Sequence, residues 1–325
     1  MLKRLLPALL AGLLLTGCAQ TLPQEPTAFQ ETVQTTEAPK AVTFTDDLDR
    51  TVTVENPRRV ATLLASFTDV WYLAGGEVVA APDDAWEDLT LPMAEDAHNL
   101  GNTKDLSLET LFAADPDFII ASSKTRVDLD WLETLETSGI PVAYFSVSGF
   151  DDYLRMLKIC TDITGRSDLY EKNGVAVQAQ IDKAVETGKE RVEAHGAPNV
   201  LSLRASAASV RAKGTRGNVL GEMLKALGCV NIADSDNTLL ENLSMEHIIA
   251  QDPEYIFIVQ SGDDDQGMKA KVDQYIAENP AWNQLTAVKE GKVFYLEKQL
   301  YNMKPYARWG ESYEKLEKLF QEHEK

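Results

Sequence analysis

One pattern of apolar and polar residues occurs twice in the chain, as LSLETLFAADPDFII at residues 106–120 and LSMEHIIAQDPEYIF at residues 243–257. In each copy a serine suited to cap a helix, Ser107 or Ser244, precedes apolar residues at helical spacing. The helix should stop at the following Asp-Pro pair, because proline forces the preceding residue out of the α region. The apolar run after the proline has the length of a buried strand. Each copy therefore predicts a helix that leads into a parallel strand.

Each copy also places a glutamate in the first turn of its helix, Glu109 in one half and Glu246 in the other. A carboxylate at this position interacts favourably with the helix dipole, so a single case would indicate little about function. Two carboxylates at matching positions predict a pair of lobes that present similar faces.

The rest of the chain alternates between strand-like and helix-like segments. Residues 42–45 and 51–55 predict a β-hairpin. Further strands are predicted at residues 60–64, 78–81, 142–145, 199–203 and 293–296. Helices are predicted at residues 69–74, 131–137, 153–165, 169–194, 219–227, 274–278 and 312–322. This alternation is typical of an α/β fold, here with two lobes that each contain a mainly parallel sheet flanked by helices.

The helix predicted at residues 169–194 contains no proline and is longer than one small lobe needs, at about 25 residues and ~35–40 Å. We predict that it joins the two lobes. The predicted organisation is a lipoprotein signal peptide at 1–17, a lipidated cysteine and tether at 18–40, an N-terminal lobe at 41–165, a bridging helix at 166–196, and a C-terminal lobe with a closing helix at 197–325.

The N-terminus predicts export and a lipid anchor. Two positive charges precede an apolar run at residues 5–15 that is too short to span a bilayer, and small residues lead to Cys18. This arrangement resembles the bacterial lipobox, in which cleavage before the cysteine leaves it lipidated; the alternative is an ordinary signal peptide. Residues 19–40 are rich in Thr, Gln, Glu and Pro, which predicts a flexible tether. The folded part is thus expected at the extracytoplasmic face of the cytoplasmic membrane.

The net charge of the chain limits which partners it can bind. The chain has a formal net charge of −20, and removal of Lys3 and Arg4 with the signal makes it more negative. A net charge this negative argues against nucleic acid as a partner and against adhesion to anionic lipids. The lipid anchor is then the only expected contact with the membrane. Cys160 and Cys229 lie in apolar helical contexts and are predicted as buried free thiols, although an exported protein also permits a disulfide.

Basic residues follow two of the predicted strands. Arg204, Arg211 and Lys213 follow the strand at 199–203, in a segment without any acid, and Lys124 and Arg126 follow the strand of the first repeat. In open parallel sheets, ligands bind at the carboxyl ends of strands, and small residues there leave backbone N–H groups free to meet an anion. We therefore predict that these five cations bind an anionic ligand. Solvated loops whose charges balance nearby acids are the alternative.

Aromatic residues also occur near these strand ends and near the C-terminus. They are Phe67, Trp86 and a cluster of Tyr301, Tyr306, Arg308 and Trp309. Aromatic rings beside arginines suit a flat or aromatic anionic ligand, so Phe67, Trp86, Tyr301, Arg308 and Trp309 join the predicted ligand site. Each ring could instead belong to the core.

Enzyme signatures are absent from the sequence. The four histidines are scattered, none at metal-ligand spacing, and there is no GxSxG, P-loop or GxGxxG motif. We predict no catalytic residue, no metal ligand and no cofactor.

The lipobox, the tether, the two lobes, the long helix and the repeated LExxxxxxPDxII pattern together resemble the substrate-binding lipoproteins of bacterial ABC importers. The likeness covers nearly all of residues 41–320 and is greatest to the helical-hinge group that serves iron–siderophore complexes, cobalamin and haem. The resemblance implies that one glutamate on each lobe, here Glu109 and Glu246, docks onto arginines of a membrane permease that works with a cytoplasmic ATPase.

The ending KPYARWGESYEKL resembles a branch usually labelled as iron-complex binding. Related zinc and manganese binders use several cleft histidines, which this sequence lacks. Haem binders of the group supply an axial His, Tyr or Met, and Tyr301 is available for that role. The sequence thus predicts a monomeric, lipid-anchored receptor that captures an anionic iron chelate, such as a ferric siderophore, and delivers it to a permease. A corrinoid or haem receptor of the same class, or a surface enzyme or adhesion module on an α/β scaffold, are the alternatives.

Overall fold

The computed structural model describes residues 41–235, 240, 243–262 and 264–323. The predicted signal peptide, the lipidated Cys18 and the tether lie outside these residues. No helix within the described ranges is long and apolar enough to cross a membrane.

The N-terminal lobe contains a five-stranded parallel sheet and a separate antiparallel hairpin. Its strands are β1 (Val42–Thr45), β2 (Thr51–Val54), β3 (Val60–Thr62), β4 (Val78–Ala81), β5 (His98–Asn99), β6 (Phe118–Ser122) and β7 (Val142–Phe145). Its helices are α1 (Ala65–Leu73), α2 (Asp84–Glu87), α3 (Leu108–Ala113), α4 (Arg126–Asp130), α5 (Leu132–Thr137) and α6 (Phe150–Thr164). The sheet order is β5-β4-β3-β6-β7, while β1 and β2 form the hairpin expected from the sequence.

A continuous helical stretch follows the N-terminal lobe. It consists of α7 (Ser167–Tyr170), one π-helical turn (Glu171–Val175) and α8 (Ala176–His195). The long helix predicted over residues 169–194 is therefore confirmed.

The C-terminal lobe contains a second parallel sheet. Its strands are β8 (Asn199–Ala205), β9 (Val210–Ala212), β10 (Val230–Asn231), β11 (Tyr255–Gln260) and β12 (Val293–Leu296). Its helices are α9 (Val219–Ala226), α10 (Met245–Gln251), α11 (Asp265–Glu278), α12 (Thr286–Lys289), α13 (Lys298–Tyr301) and α14 (Trp309–Glu322), with 3-10 turns at Ile232–Asp234, Pro280–Gln284 and Tyr306–Arg308. The order is β10-β8-β11-β12, and β9 pairs antiparallel with β8. The two-lobed α/β fold is confirmed.

The two sequence repeats adopt the same local structure. The Ser107 hydroxyl accepts a hydrogen bond from the Thr110 N–H at 3.1 Å, and the Ser244 hydroxyl accepts one from the His247 N–H at 3.4 Å. Both helices stop before an aspartate in the left-handed region, with φ of 48° and 40° respectively. The prediction of a capped helix that leads through Asp-Pro into a strand is correct in both halves.

A single apolar cluster connects the two lobes. Along β6, Phe118 and Ile120 face this shared cluster and Ile119 faces a second cluster confined to the N-terminal lobe; β11 alternates in the same way. Aromatic rings from both lobes also meet in this cluster, and we call their contact the seam. The ring of Trp309 lies 5.7 Å from that of Phe150 and 5.9 Å from that of Tyr153. The lobes therefore share buried surface as well as the bridging helix.

The segment after β8 differs from the expected loop. Residues 206–209 make a turn, closed by a hydrogen bond from the Ser206 N–H to the Ser209 carbonyl, and β9 folds back on β8. The short run of Ala and Ser residues hides this strand, because strand assignment from sequence depends on alternation of polar and apolar side chains.

The two remaining cysteines are buried free thiols, as predicted. Cys160 lies on α6 and Cys229 follows α9, and burial raises the pKa of the Cys229 thiol to about 12. Both are therefore protonated at neutral pH.

Candidate functional site

A cavity of about 410 Å³ lies between the two lobes. This volume falls within the range typical of small-molecule sites, about 300–1,000 Å³. Its lining comes from both lobes and comprises Ser66, Leu89, Ser148, Arg204, Gly217, Val219, Asn302, Met303, Lys304 and Tyr306.

The cavity lies at the carboxyl ends of the parallel strands. Ser66 follows β3, Ser148 follows β7, and Arg204 is near the end of β8. Ligands in open α/β sheets bind at this edge because the loops there diverge and leave a crevice. The cavity therefore lies at the kind of edge at which the sequence predicts a ligand.

Of the cations predicted to bind a ligand, Arg204 has the position that suits this role best. Its neighbours Leu203 and Ala205 face the cluster confined to the C-terminal lobe, so Arg204 itself faces the cavity. The guanidinium is half-buried, and burial lowers its pKa. Among the described residues it makes one hydrogen bond, a long contact of 3.5 Å to the Asn218 amide oxygen, and no ion pair with a carboxylate. A guanidinium in this position is available to an oxyanion.

Lys304 is a second cavity cation, which the sequence reasoning missed. Burial lowers the pKa of its ammonium group, and the charge of Asp152 only partly opposes that shift. Within the described ranges no carboxylate lies at ion-pair distance from it. No sequence pattern around Lys304, between Met303 and Pro305, predicts a ligand contact. Its position on the cavity wall depends on the fold.

Arg211 and Lys213 extend the positive surface. Arg211 is paired with Arg204 across β8 and β9, so their side chains project from the same face of the sheet. Lys213 lies two residues further on that face, and its pKa is lowered by burial and then by the charges of Arg204 and Arg211. Like charges that crowd together favour a ligand that brings negative charge.

The hydroxyl of Tyr306 is buried beside the cavity, close to Ser66. Burial raises its pKa, Ser66 opposes that shift, and no group in the described part of the chain makes a hydrogen bond of normal geometry with it. Tyr306 also has a left-handed backbone, with φ of 44°, which is strained for an aromatic residue. Nearby, burial raises the pKa of Asp69 to about 6. The wall is thus polar as well as positive.

Three of the aromatic residues predicted for the site belong to the core instead. Phe67 packs edge-on against Phe145 at 6.4 Å. Tyr301 is buried and donates its hydroxyl to the Ser312 carbonyl at 3.2 Å, while Trp309 is buried in the seam between the lobes. The prediction that Phe67, Tyr301 and Trp309 face the ligand is therefore wrong for this conformation, because contacts distant in sequence bury their rings.

Arg211 and Lys213 do not line this cavity, and neither do the other four predicted residues. Trp86 is half-buried against the shared core, and Lys124 is exposed. Arg126 is exposed over 92% of its side chain and pairs with Asp130 at 3.5 Å. Arg308 pairs with Glu311 at 2.7 Å, so carboxylates of its own lobe neutralise it. The predicted roles of these four residues need correction, since charge and ring type in the sequence do not show which loop turns inward.

A larger space of about 930 Å³ lies within the C-terminal lobe and includes Lys213, Thr215 and Arg216 in its lining. Its wall also includes Ser235 and Leu240, which flank residues outside the described ranges. The smaller cavity has walls from both lobes and lies where the sheets end, so it is the candidate site.

Comparison with known proteins gives consistent results. A sequence profile described as "Periplasmic binding protein" matches residues 60–300. The Fe(3+)-citrate-binding protein YfmC of Bacillus subtilis is 25% identical over 294 residues, which is 88% of this chain and 86% of YfmC.

Solved structures share the fold. The catecholate-siderophore binding protein VctP of Vibrio cholerae superposes with a TM-score of 0.66 at 16% identity, over 87% of this chain and 100% of VctP. Staphylococcus aureus SirA, complexed with staphyloferrin B, superposes with a TM-score of 0.61 at 21% identity, over 87% of this chain and 98% of SirA.

Proposed function

Because this chain belongs to the periplasmic binding protein family, whose profile spans residues 60–300, we propose that it is the solute-binding protein of an ABC importer and captures an anionic iron chelate between its lobes. The observation that carries this proposal is the pair Arg204 and Lys304, two partly buried cations on the cavity wall without a carboxylate partner among the described residues. Burial of an unpaired charge is costly, and a ligand with its own negative charge offsets that cost.

The relative YfmC is named for ferric citrate. Among the solved structures that share the fold, SirA was solved with staphyloferrin B and VctP is a catecholate-siderophore binding protein, while others are haem-binding proteins. A corrinoid receptor is disfavoured, because a nearly neutral ligand calls for apolar and aromatic walls and three of the rings considered for that role are buried. Haem remains an outcome of the binding test below.

Truncation of either cavity cation should weaken chelate binding. Arg204→Ala and Lys304→Ala should each lose a charged hydrogen bond of about 1.5–3 kcal/mol, or roughly 10- to 150-fold in affinity. The measurement is tryptophan-fluorescence titration with ferric citrate, a ferric catecholate siderophore, haemin and cyanocobalamin. Arg126→Ala is the matched control, because this arginine lies outside the cavity and pairs with Asp130. Tight haem or cobalamin binding without a response to ferric chelates would overturn the ligand class and leave the receptor class standing.

The proposal includes attachment to the membrane through Cys18. A short apolar run that ends in small residues and cysteine is the observation behind it. Cys18→Ala should release the protein from the membrane fraction or leave its signal uncleaved, as seen by fractionation and gel mobility. A variant that partitions and migrates like the wild type would disprove the anchor.

A further inference from the structure

A carboxylate of the N-terminal lobe lies next to the cavity. Asp152 is in the first turn of α6, and its Oδ2 atom accepts a hydrogen bond from the Ser148 N–H at 2.8 Å. Ser148 and Lys304 both line the cavity, so Asp152 is one hydrogen bond away from the cavity wall. The side chain of Asp152 is 38% exposed, and solvent therefore screens its charge only in part. A carboxylate at this place opposes an anionic ligand unless its charge acts on a cation of the protein.

Aromatic packing brings the start of α6 next to the segment that carries Lys304. Asp152 directly precedes Tyr153, whose ring lies 5.5 Å from that of Tyr306. Lys304 is two residues before Tyr306 in the chain. Burial lowers the pKa of Lys304, and the charge of Asp152 opposes that shift. Asp152 therefore acts on Lys304 across the seam between the lobes.

One basic residue near Asp152 is already paired with another acid. Arg155, one turn further along α6, approaches Asp152 only to 3.9 Å. Its guanidinium makes an ion pair of 2.8 Å with Asp47 and donates a second hydrogen bond to the same carboxylate at 2.9 Å. Because Arg155 is engaged in this closer pair, it offsets the charge of Asp152 only in part. Lys304 is then the cavity cation on which that charge acts.

Asp152 and Lys304 attract each other without forming an ion pair. Within the described part of the chain, no carboxylate oxygen lies within 4.0 Å of the Lys304 ammonium group. The attraction between two charges weakens with distance and with the solvent between them. The ammonium group can therefore still donate a hydrogen bond to a closer oxyanion, at about 2.7–2.9 Å. An oxyanion of a chelate in the cavity would compete with Asp152 for this group.

We propose that Asp152 is a positioning residue that draws the Lys304 ammonium group toward the N-terminal lobe in the free protein, and that the chelate has to displace it. The inference rests on the proposed function, because it describes how one cation of that site is shared. Arg204 differs from Lys304, since burial lowers its pKa and no nearby carboxylate opposes that shift. Arg204 therefore provides affinity without a competitor, whereas Asp152 limits the contribution of Lys304 and makes the chelate easier to release.

Asp152→Asn removes the charge and keeps an oxygen that can accept the Ser148 N–H. In the full-length protein, purified in detergent, this variant should bind ferric citrate or a ferric catecholate siderophore about three- to tenfold more tightly at low ionic strength, because one competing unit charge is lost. Tryptophan-fluorescence titration measures the affinity. A purely structural role of Asp152 predicts the opposite, because a carboxylate in the first turn stabilises the start of α6. An unchanged or weaker affinity would overturn the proposal.

Asp151→Asn is the matched control. It removes the same charge from the same helical turn, so its effect on the helix dipole is equivalent. Asp151 is exposed, and its charge acts on α14, where burial and the charges of Glu222 and Asp151 raise the pKa of Tyr313 to about 12. The affinity of this variant should stay within about twofold of the wild type, because solvent screens an exposed charge. An equal gain from both variants would show a general effect of net charge and refute the specific role of Asp152.

Replacement of Lys304 shows whether Asp152 acts through it. In a Lys304→Met background, Asp152→Asn should change the affinity by less than about twofold, because the competition for the ammonium group no longer exists. An equal gain in both backgrounds would mean that Asp152 repels the ligand directly, and the positioning role would be wrong.

The ionisation of Lys304 provides a measurement that needs no ligand. Carbon NMR of the lysine Cε atoms follows the pKa of Lys304, whose signal is assigned through Lys304→Met. Asp152→Asn should lower this pKa relative to the wild type, because removal of an opposite charge disfavours the protonated form, and Asp151→Asn should leave it unchanged. Gallium citrate, a diamagnetic substitute for the ferric complex, should raise it in the wild type.

The NMR result and the titration separate this inference from the proposed function. An unchanged pKa of Lys304 in Asp152→Asn would refute the pairing of the two residues, whichever ligand the cavity binds. A lowered pKa in a protein that binds no ferric chelate would refute the proposed ligand and support the pairing.

Discussion

Reversal of both glutamates, Glu109→Arg together with Glu246→Arg, should abolish uptake of the ferric chelate while the purified protein still binds it. Both side chains are exposed in the first turn of their helices, and neither lines the cavity. If they meet permease arginines, as the family resemblance implies, each reversal places like charges together, which costs several kcal/mol in an interface. The local cost to the fold is small, about 0.3–1 kcal/mol per helix from the dipole.

The matched control changes the same residue type in the first turns of two other helices. Glu133 and Glu222 are exposed glutamates in the first turns of α5 and α9, and Glu133→Arg with Glu222→Arg should leave uptake close to wild type. Cellular uptake of radiolabelled ferric chelate and fluorescence titration are measured in parallel. If the folded double mutant at 109 and 246 loses chelate binding, these glutamates belong to the ligand site; if uptake persists, they do not dock the permease.

Removal of one partner of a buried ion pair should produce the largest loss of stability. Arg191 on α8 and Glu317 on α14 are paired at 3.1 Å, with side chains only 5% and 4% exposed. The Arg191 guanidinium also donates to the Leu227 carbonyl at 2.8 Å and lies 4.3 Å from the centre of the Phe320 ring. Glu317→Ala leaves a buried charge without this counter-ion, so we expect a loss of about 3–5 kcal/mol in the free energy of unfolding.

Urea unfolding at constant pH measures this effect as a shift of the midpoint. Asp162→Ala is the control, because it breaks the exposed pair with Lys158 at 2.6 Å on α6 and should cost no more than about 0.5 kcal/mol. Replacing both partners, Arg191→Met with Glu317→Leu, should restore most of the stability, since no unpaired charge remains. Equal effects of Glu317→Ala and Asp162→Ala would contradict the argument.

The helices and strands of the two repeats could be predicted because their signals are local. Ser107 and Ser244 cap N–H groups three residues away, and the Asp-Pro pairs end both helices by steric restriction of the adjacent residue. The buried strands after them have apolar side chains on both faces, as parallel strands covered by helices require. The two-lobed α/β fold follows from such short-range patterns repeated along the chain.

The residues of the candidate site also differ in whether a local sequence signal predicts them. Arg204 was predictable, because its place at the end of a central parallel strand is itself a property of the local pattern. Lys304 was not, and neither was the burial of Trp309, because both depend on contacts between residues far apart in sequence, such as that between Phe150 and Trp309 at 5.7 Å.

Residue type alone predicted Tyr301, Arg308 and Trp309 equally as ligand contacts and did not single out Lys304. Packing then separated them: Trp309 and Tyr301 gain more free energy by burying apolar surface in the core, Arg308 is neutralised by Glu311, and Lys304 is left facing the cavity. The sequence by itself determined the elements and the edge at which the candidate cavity lies. The tertiary structure decided which side chains reach that edge, because burial is a property of the whole packed chain and not of any one segment.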